Sequence, residues 1–414
     1  VVYIVSMAGG NGWGYGYPLV NPFEATVIGT PMLYRPELPE EINQESIELT
    51  LFEDRVVPDV LWYEKKLRCS LAYQKRRAPL IFLIAGTGAS HESGNMKIMQ
   101  RAFFGAGFHV FSISSPTHPN FIVTASTTGV PGLIRQDAQD LYRVMKKAMS
   151  VIEDRIEVTD YYLTGYSLGA AQAAFVSQLD EDGGLFGFKR VLMINPPVSL
   201  YNSVVILDEM LEENIPGGPD NFNAFFREMM QKFADIYRTT EGIDFNNDFL
   251  YNIYKAHPPR EEILQALIGV SFRLSSTNMI FTADVLNHTG LIVPPNLHLS
   301  ATDSLTGYFI VTNRTSFQDY FEELFYPFFR KRLTGITRQG MIDSVSLESI
   351  RAYLEDNPKI GVMHNQDDII LAPGEIDFFK EVFGSRAKIY PNGGHCGNMA
   401  YSENVEYMIR FFQQ

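Results

Sequence analysis

Tyr161-Tyr-Leu-Thr-Gly165-Tyr-Ser167-Leu-Gly169 is the stretch on which the fold turns. Tyr161–Thr164 reads as a buried strand, and Ser167 opens a helical pattern. Between them lies G-x-S-x-G. A serine nucleophile must stand on a tight turn at the carboxyl end of a strand, so that its hydroxyl faces the cleft. Glycines two before and two after leave room for that turn and for close helix packing. The amino end of the helix also favours negative charge developing nearby.

The pattern extends outward on both sides. Upstream, Ile47, Leu49 and Leu51 alternate with polar residues, and Leu67, Cys69 and Leu71 repeat the alternation. Pro79–Ala85 is a continuous apolar run, as in a strand buried on both faces, and it enters Gly86-Thr-Gly-Ala-Ser90. Helices are expected over 91–104 and 132–151, with a strand at Phe108–Ser114 between them. Downstream comes a strand at Val191–Ile194. The alternation resumes with strands at Ile360–Met363 and Ala387–Tyr390 and helices near 373–383 and 402–413. Alternating elements of this kind imply a mostly parallel sheet flanked by helices.

The interval is different. Residues 197–349 carry helical, aromatic-rich segments (Phe225, Phe233, Tyr237, Tyr251, Tyr254, Phe321 and Phe325 among them) with breaks at Pro216-Gly-Gly-Pro219 and Pro258-Pro259. Residues 1–45 are Gly-, Pro- and Asn-rich and predict no regular element, only an extension draped over the domain or tethering it. The expected division is therefore an extension (1–45), a core in two parts (46–196 and 350–414) and a helical insertion (197–349).

A serine hydroxyl needs a base. His395, in Pro391-Asn-Gly-Gly-His-Cys-Gly397 after the last strand, lies where glycines let a loop reach back over the sheet. His109 falls inside a strand, and His364 is read as structural. His257, His288 and His298 fall in the insertion, while His91 and His118 lie in loops after strands and are weaker candidates. The orienting acid belongs on the loop after strand 360–363. Asp368 is preferred to Asp367 there because Ile369 and Ile370 anchor it. An oxyanion hole needs two backbone N–H groups. Leu168 supplies one, and Thr87, with Gly88 as second choice, the other.

With the Ser-Asp-His order, the elbow Gly165–Gly169 and the loop Gly86–Gly88 in place, the chain resembles the α/β-hydrolase superfamily. The resemblance implies an eight-stranded mostly parallel sheet and serine-hydrolase activity, with the insertion where that superfamily carries its lid. The oxyanion loop departs from the His-Gly-Gly-Gly form of many lipases and esterases. The expected reaction is cleavage of a carboxylic ester or related acyl bond, with thioesters and peptides as alternatives on the same triad. A non-catalytic binding protein on a hydrolase fold is the alternative of another class.

Composition narrows the partners. The 414 residues carry a net charge of −14 and show no basic patch for nucleic acid; Lys75-Arg-Arg77 reads as a solvated turn. Two cysteines, Cys69 and Cys396, lack metal-ligand spacing and read as free thiols. No cofactor or metal is expected. The partner is a small acyl substrate, apolar if the aromatic insertion forms a groove rather than only its own core. No run of about 18 apolar residues exists to span a membrane. The chain begins at Val1, so Val-Val-Tyr-Ile-Val leaves a trimmed export signal open, and the compartment with it, between cell envelope and cytoplasm. The sequence does not address oligomeric state.

Overall fold

The computed structural model describes residues 14–218, 221–228, 231 and 258–414. Eight strands form one sheet in the order β1-β2-β4-β3-β5-β6-β7-β8. They are β1 (Gln44–Leu49), β2 (Leu67–Ala72), β3 (Ala78–Ile84), β4 (His109–Ile113), β5 (Val158–Tyr166), β6 (Arg190–Ile194), β7 (Ile360–Asn365) and β8 (Ala387–Tyr390). The pairs β1–β2 and β2–β4 are antiparallel, and every other neighbouring pair is parallel. Lys75, Arg76 and Arg77 are exposed in the turn between β2 and β3.

The apolar run 79–85 shows why the sheet is covered on both faces. In β3, Leu80, Phe82 and Ile84 enter one core cluster, whereas Ile81 and Leu83 enter another. This is the period-two alternation of a strand with no solvent face. The first cluster is completed by the helices Ile134–Ile152 and Leu168–Gly183, the second by Gly94–Gly105 and Ser402–Gln413. Each fully buried large aliphatic or phenyl side chain contributes about 1.5–3 kcal/mol.

Between β6 and β7 the chain leaves the sheet. The helix Leu200–Glu212 packs against the 27-residue helix Glu261–Asn287. A π-helical segment, Tyr320–Phe325, follows further on. Phe233, Tyr237, Tyr251, Tyr254, Pro219 and His257 lie outside the described residues.

The N-terminal segment departs from expectation. Pro22–Ile28 is an α-helix, with Asn21 Oδ1 accepting the Phe23 and Glu24 amides and Pro22 in the first turn. An Asn cap followed by Pro is a helix start that the surrounding Gly/Pro composition obscured. The segment is also packed: Tyr17, Leu19, Ala25 and Ile28 are buried beside Tyr401.

Candidate active site

Strand β5 delivers Ser167 at its carboxyl end with φ 54° and ψ −128°, a conformation outside the usual regions for a residue with a Cβ. The flanking glycines make it possible. A Cβ on Gly165 would collide with the Gly169 carbonyl, and one on Gly169 would stand 2.5 Å from the carbonyl oxygens of Ile84 and Ala85. The turn thus packs directly on β3, and Ser167, at 6% exposure, faces a small pocket rather than bulk water.

The loops after β7 and β8 meet it there. His395 Nε2 lies 2.9 Å from Ser167 Oγ, and Nδ1 lies 3.0 Å from Asp368 Oδ1. The Asp368 carboxylate also accepts Asn195 Nδ2–H at 2.9 Å and the Ile370 amide at 3.2 Å. Burial alone pushes the Asp368 carboxyl up, but the charge and hydrogen bond of His395, with His364 and Asn195, outweigh it and hold the group below its ordinary value. Burial likewise pushes the His395 imidazole down, and the facing Asp368 carboxylate overrides it, so the ring titrates well above an ordinary histidine.

Asp367 and Asp368 point apart, as neighbours in an extended loop must. Asp367 accepts the Gly393 and Gly394 amides at 3.2 and 3.0 Å and so holds the loop that carries His395. His364 donates from Nε2 to the Pro196 carbonyl at 2.9 Å and accepts the Asn365 amide at Nδ1, which uses both ring nitrogens. His109 is buried in β4 and accepts the Gln74 amide. His118 caps the helix Pro119–Thr124 and is pushed down to about 4 by burial. His91 contacts Ser114. Neither His91 nor His118 lines the pocket at Ser167, and His288 and His298 line a separate cavity.

Of the three oxyanion-hole candidates, Gly88 has its amide committed to Thr117 Oγ1 at 2.7 Å. The Thr87 and Leu168 amides have no protein acceptor among the described residues, and both residues line the pocket at Ser167. Cys69 and Cys396 are free thiols, Cys69 buried and Cys396 with its sulfur 3.8 Å from His395 Nε2. Among the described residues no cluster of three or more His, Cys, Asp or Glu side chains is arranged to hold a metal.

Two contributors were not read from the sequence. Asn195, at φ 47°, orients the acid, and Thr26 Oγ1 accepts the His395 amide at 2.9 Å. Asn195 directly follows β6, and a polar residue at the carboxyl end of a parallel strand was the available signal. Thr26 carried none.

The sheet order, its antiparallel edge at β1 and β2, and a serine elbow after β5 define the α/β-hydrolase fold. No family model and no curated protein matches the sequence. Among solved structures, it is similar to Est1E from Butyrivibrio proteoclasticus at 10% identity and a TM-score of 0.39, over 89% of this chain and 99% of that one. The esterase Pf2001 of Pyrococcus furiosus gives 11% and 0.41, over 90% and 92%. The proline iminopeptidase of Mycobacterium smegmatis gives 12% and 0.42, over 89% and 98%. These likenesses are distant, and the fold assignment stands on the strand order and the elbow.

Proposed function

We propose that this chain is a serine hydrolase that cleaves a carboxylic ester or related acyl bond. One observation carries the reading: the unbroken run from Ser167 Oγ through the His395 ring to Asp368, at 2.9 and 3.0 Å, with the serine on a strained turn. His395 takes the Ser167 proton as Oγ attacks the carbonyl carbon. Asp368 holds the Nδ1–H tautomer and stabilises the imidazolium. The Thr87 and Leu168 amides receive the oxyanion. Collapse breaks the bond to the leaving group, which takes the proton from His395 Nε2. Water then attacks the acyl-serine ester with His395 again as base, releasing the acid and restoring Ser167. Within the insertion 197–349, the helix Glu261–Asn287 acts as a cap on this site: its Ser275 side chain would meet a Cβ on Gly88 at 2.7 Å.

The test is labelling with a fluorophosphonate and turnover of p-nitrophenyl esters, against Ser167→Ala. Wild type should label and turn over, and the variant should lose activity by ~10⁴–10⁶. A wild type that does neither would overturn the reading in favour of a binding protein on this fold. Turnover of thioester or peptide substrates well above oxygen esters would redirect it to those bonds.

A further inference from the structure

Two spaces adjoin the proposed oxyanion donors, and they differ in what they touch. The smaller, about 310 Å³ of atom-free space, is lined by Ser167, His395, Leu207, Phe272 and Ile370. The larger, about 550 Å³, is lined by Tyr201, Met279, Tyr320, Phe321, Phe325 and Val345, and by neither Ser167 nor His395. Thr87, Leu168, Leu200, Val204 and Phe317 line both, so the two spaces adjoin across these residues.

The chemistry assigns the two arms of a substrate. The departing atom must lie beside His395 Nε2 to collect its proton, and the oxyanion beside the Thr87 and Leu168 amides. The remaining substituent on the tetrahedral carbon is the acyl chain. It points away from His395, past Thr87 and Leu168, where the larger chamber opens. We infer that the chamber lined by Tyr320, Phe321, Phe325, Met279 and Val345 is the acyl pocket, that it selects uncharged apolar acyl groups, and that the leaving group lies against Ile370 and Phe272. This deepens the hydrolase reading and rests on it.

The walls fit that assignment. Hydrogen bonds in a π-segment run from i to i+5, which brings Phe325 back over Tyr320, with ring centroids 6.1 Å apart, and Phe321 5.6 Å from Phe325. Of the four hydroxyls among the described lining residues, three are engaged, and the fourth, on Thr87, sits at the mouth beside the proposed oxyanion donors. Tyr320 donates to the Pro131 carbonyl at 2.8 Å, Tyr201 accepts from Arg338 at 2.7 Å, and Thr117 accepts the Gly88 amide. Among the described residues, no charged side chain lines the chamber. A carboxylate or ammonium on the acyl arm would meet an apolar wall there with no opposite charge among the described lining residues.

The test compares two ester series on the full chain: p-nitrophenyl esters from acetate to dodecanoate, and acetate esters of alcohols of rising length. In the acyl series, kcat/KM should climb about fourfold per added methylene (~0.8 kcal/mol each) until the chamber is full, then fall. The alcohol series should be flatter, and hemisuccinate esters should be rejected relative to butyrate. Val345→Phe should move the acyl optimum to shorter chains and Phe325→Leu to longer ones. Circular dichroism and fluorophosphonate labelling report whether each variant is folded, and Val345→Leu is the milder filling variant. A labelled, active wild type whose optimum appears in the alcohol series, or stays put in the folded variants, overturns the acyl assignment alone. A wild type that does not label overturns the hydrolase reading and this one with it.

Discussion

Asp367 accepts the backbone amide of Gly394 at 3.0 Å, one residue before the imidazole that its neighbour Asp368 orients. Two adjacent acids therefore serve one histidine in different ways, one through its ring and one through its loop. Asp368→Asn should cut kcat by ~10³–10⁴, because the amide no longer holds the required tautomer or offsets the imidazolium. Asp367→Asn keeps an acceptor for Gly394 and should cost less than ~10-fold, whereas Asp367→Ala should cost more than Asp367→Asn. Steady-state kinetics of the three variants decide it, and an Asp367→Asn loss equal to that of Asp368→Asn would reverse the two roles.

If His395 is the base of the proposed triad, its raised titration should set the acid limb of activity. Catalysis requires the neutral ring, so kcat/KM should fall as pH drops through the folded-state value, which Asp368 holds above the ordinary 6.5. Residual activity of Asp368→Asn should show this limb displaced to lower pH, since the charge that favours the imidazolium is gone. A pH–rate profile of both proteins checks it. A limb unmoved by the substitution would mean that another group governs it.

Asp137 lies behind the acyl chamber, its carboxylate accepting the amide of Gly132, a residue of the chamber wall. Burial pushes this acid up to about 8, against the Gly132 hydrogen bond and with help from nearby Asp140. The folded state thus prefers the protonated form. The stability it contributes is full below the unfolded value near 3.8 and is lost as pH rises to about 8. Asp137→Asn should remove that slope, so its Tm should gain on wild type steadily from pH 5 to pH 8. Parallel Tm curves for the two proteins would refute the assignment.

Arg273 and Asp208 form an ion pair at 3.1 Å, each 2% exposed, and Asp208 also accepts the Phe317 and Gln318 amides. The pair thereby positions Phe317, which lines both arms of the pocket. Arg273→Met leaves Asp208 buried without its cation and should destabilise the protein by about 3–5 kcal/mol. The loss should shrink at acid pH, where Asp208 can take a proton. Denaturant unfolding at pH 5 and pH 8 measures both effects, and a pH-independent loss would count against the ion-pair account.

The strands and the elbow were legible because their signals are local. The run 79–85 and the glycines at 165 and 169 are short stretches that can be read in place, even though the close approach that Gly169 permits is to Ile84 and Ala85 at the end of a neighbouring strand. Asp368 and His395 were legible from their loops after β7 and β8, since the chain order of the partners narrows the search. What escaped is long-range and polar. Asn195 and Thr26 are ordinary loop and helix residues whose partners stand 173 and 369 positions away. Gly88 illustrates the same limit from the other side: its glycine promised backbone freedom, yet the Thr117 hydroxyl claims its amide. The helix Pro22–Ile28 was missed although Asn21-Pro22 announced it, because composition was weighed over the cap.

The Thr26 hydroxyl and the His395 amide have a consequence for the order of assembly. Together with Asn392 Nδ2 to the Leu19 carbonyl and Thr30 Oγ1 to the Gly397 carbonyl, this contact ties the His395 loop to a segment 367 to 373 positions away. Ribosomal synthesis makes residue 26 long before residue 395, so the early segment has to wait, or dock loosely, until its partner emerges. Hydrolytic competence should therefore arrive late and all at once in refolding, after the sheet has formed, rather than growing with it.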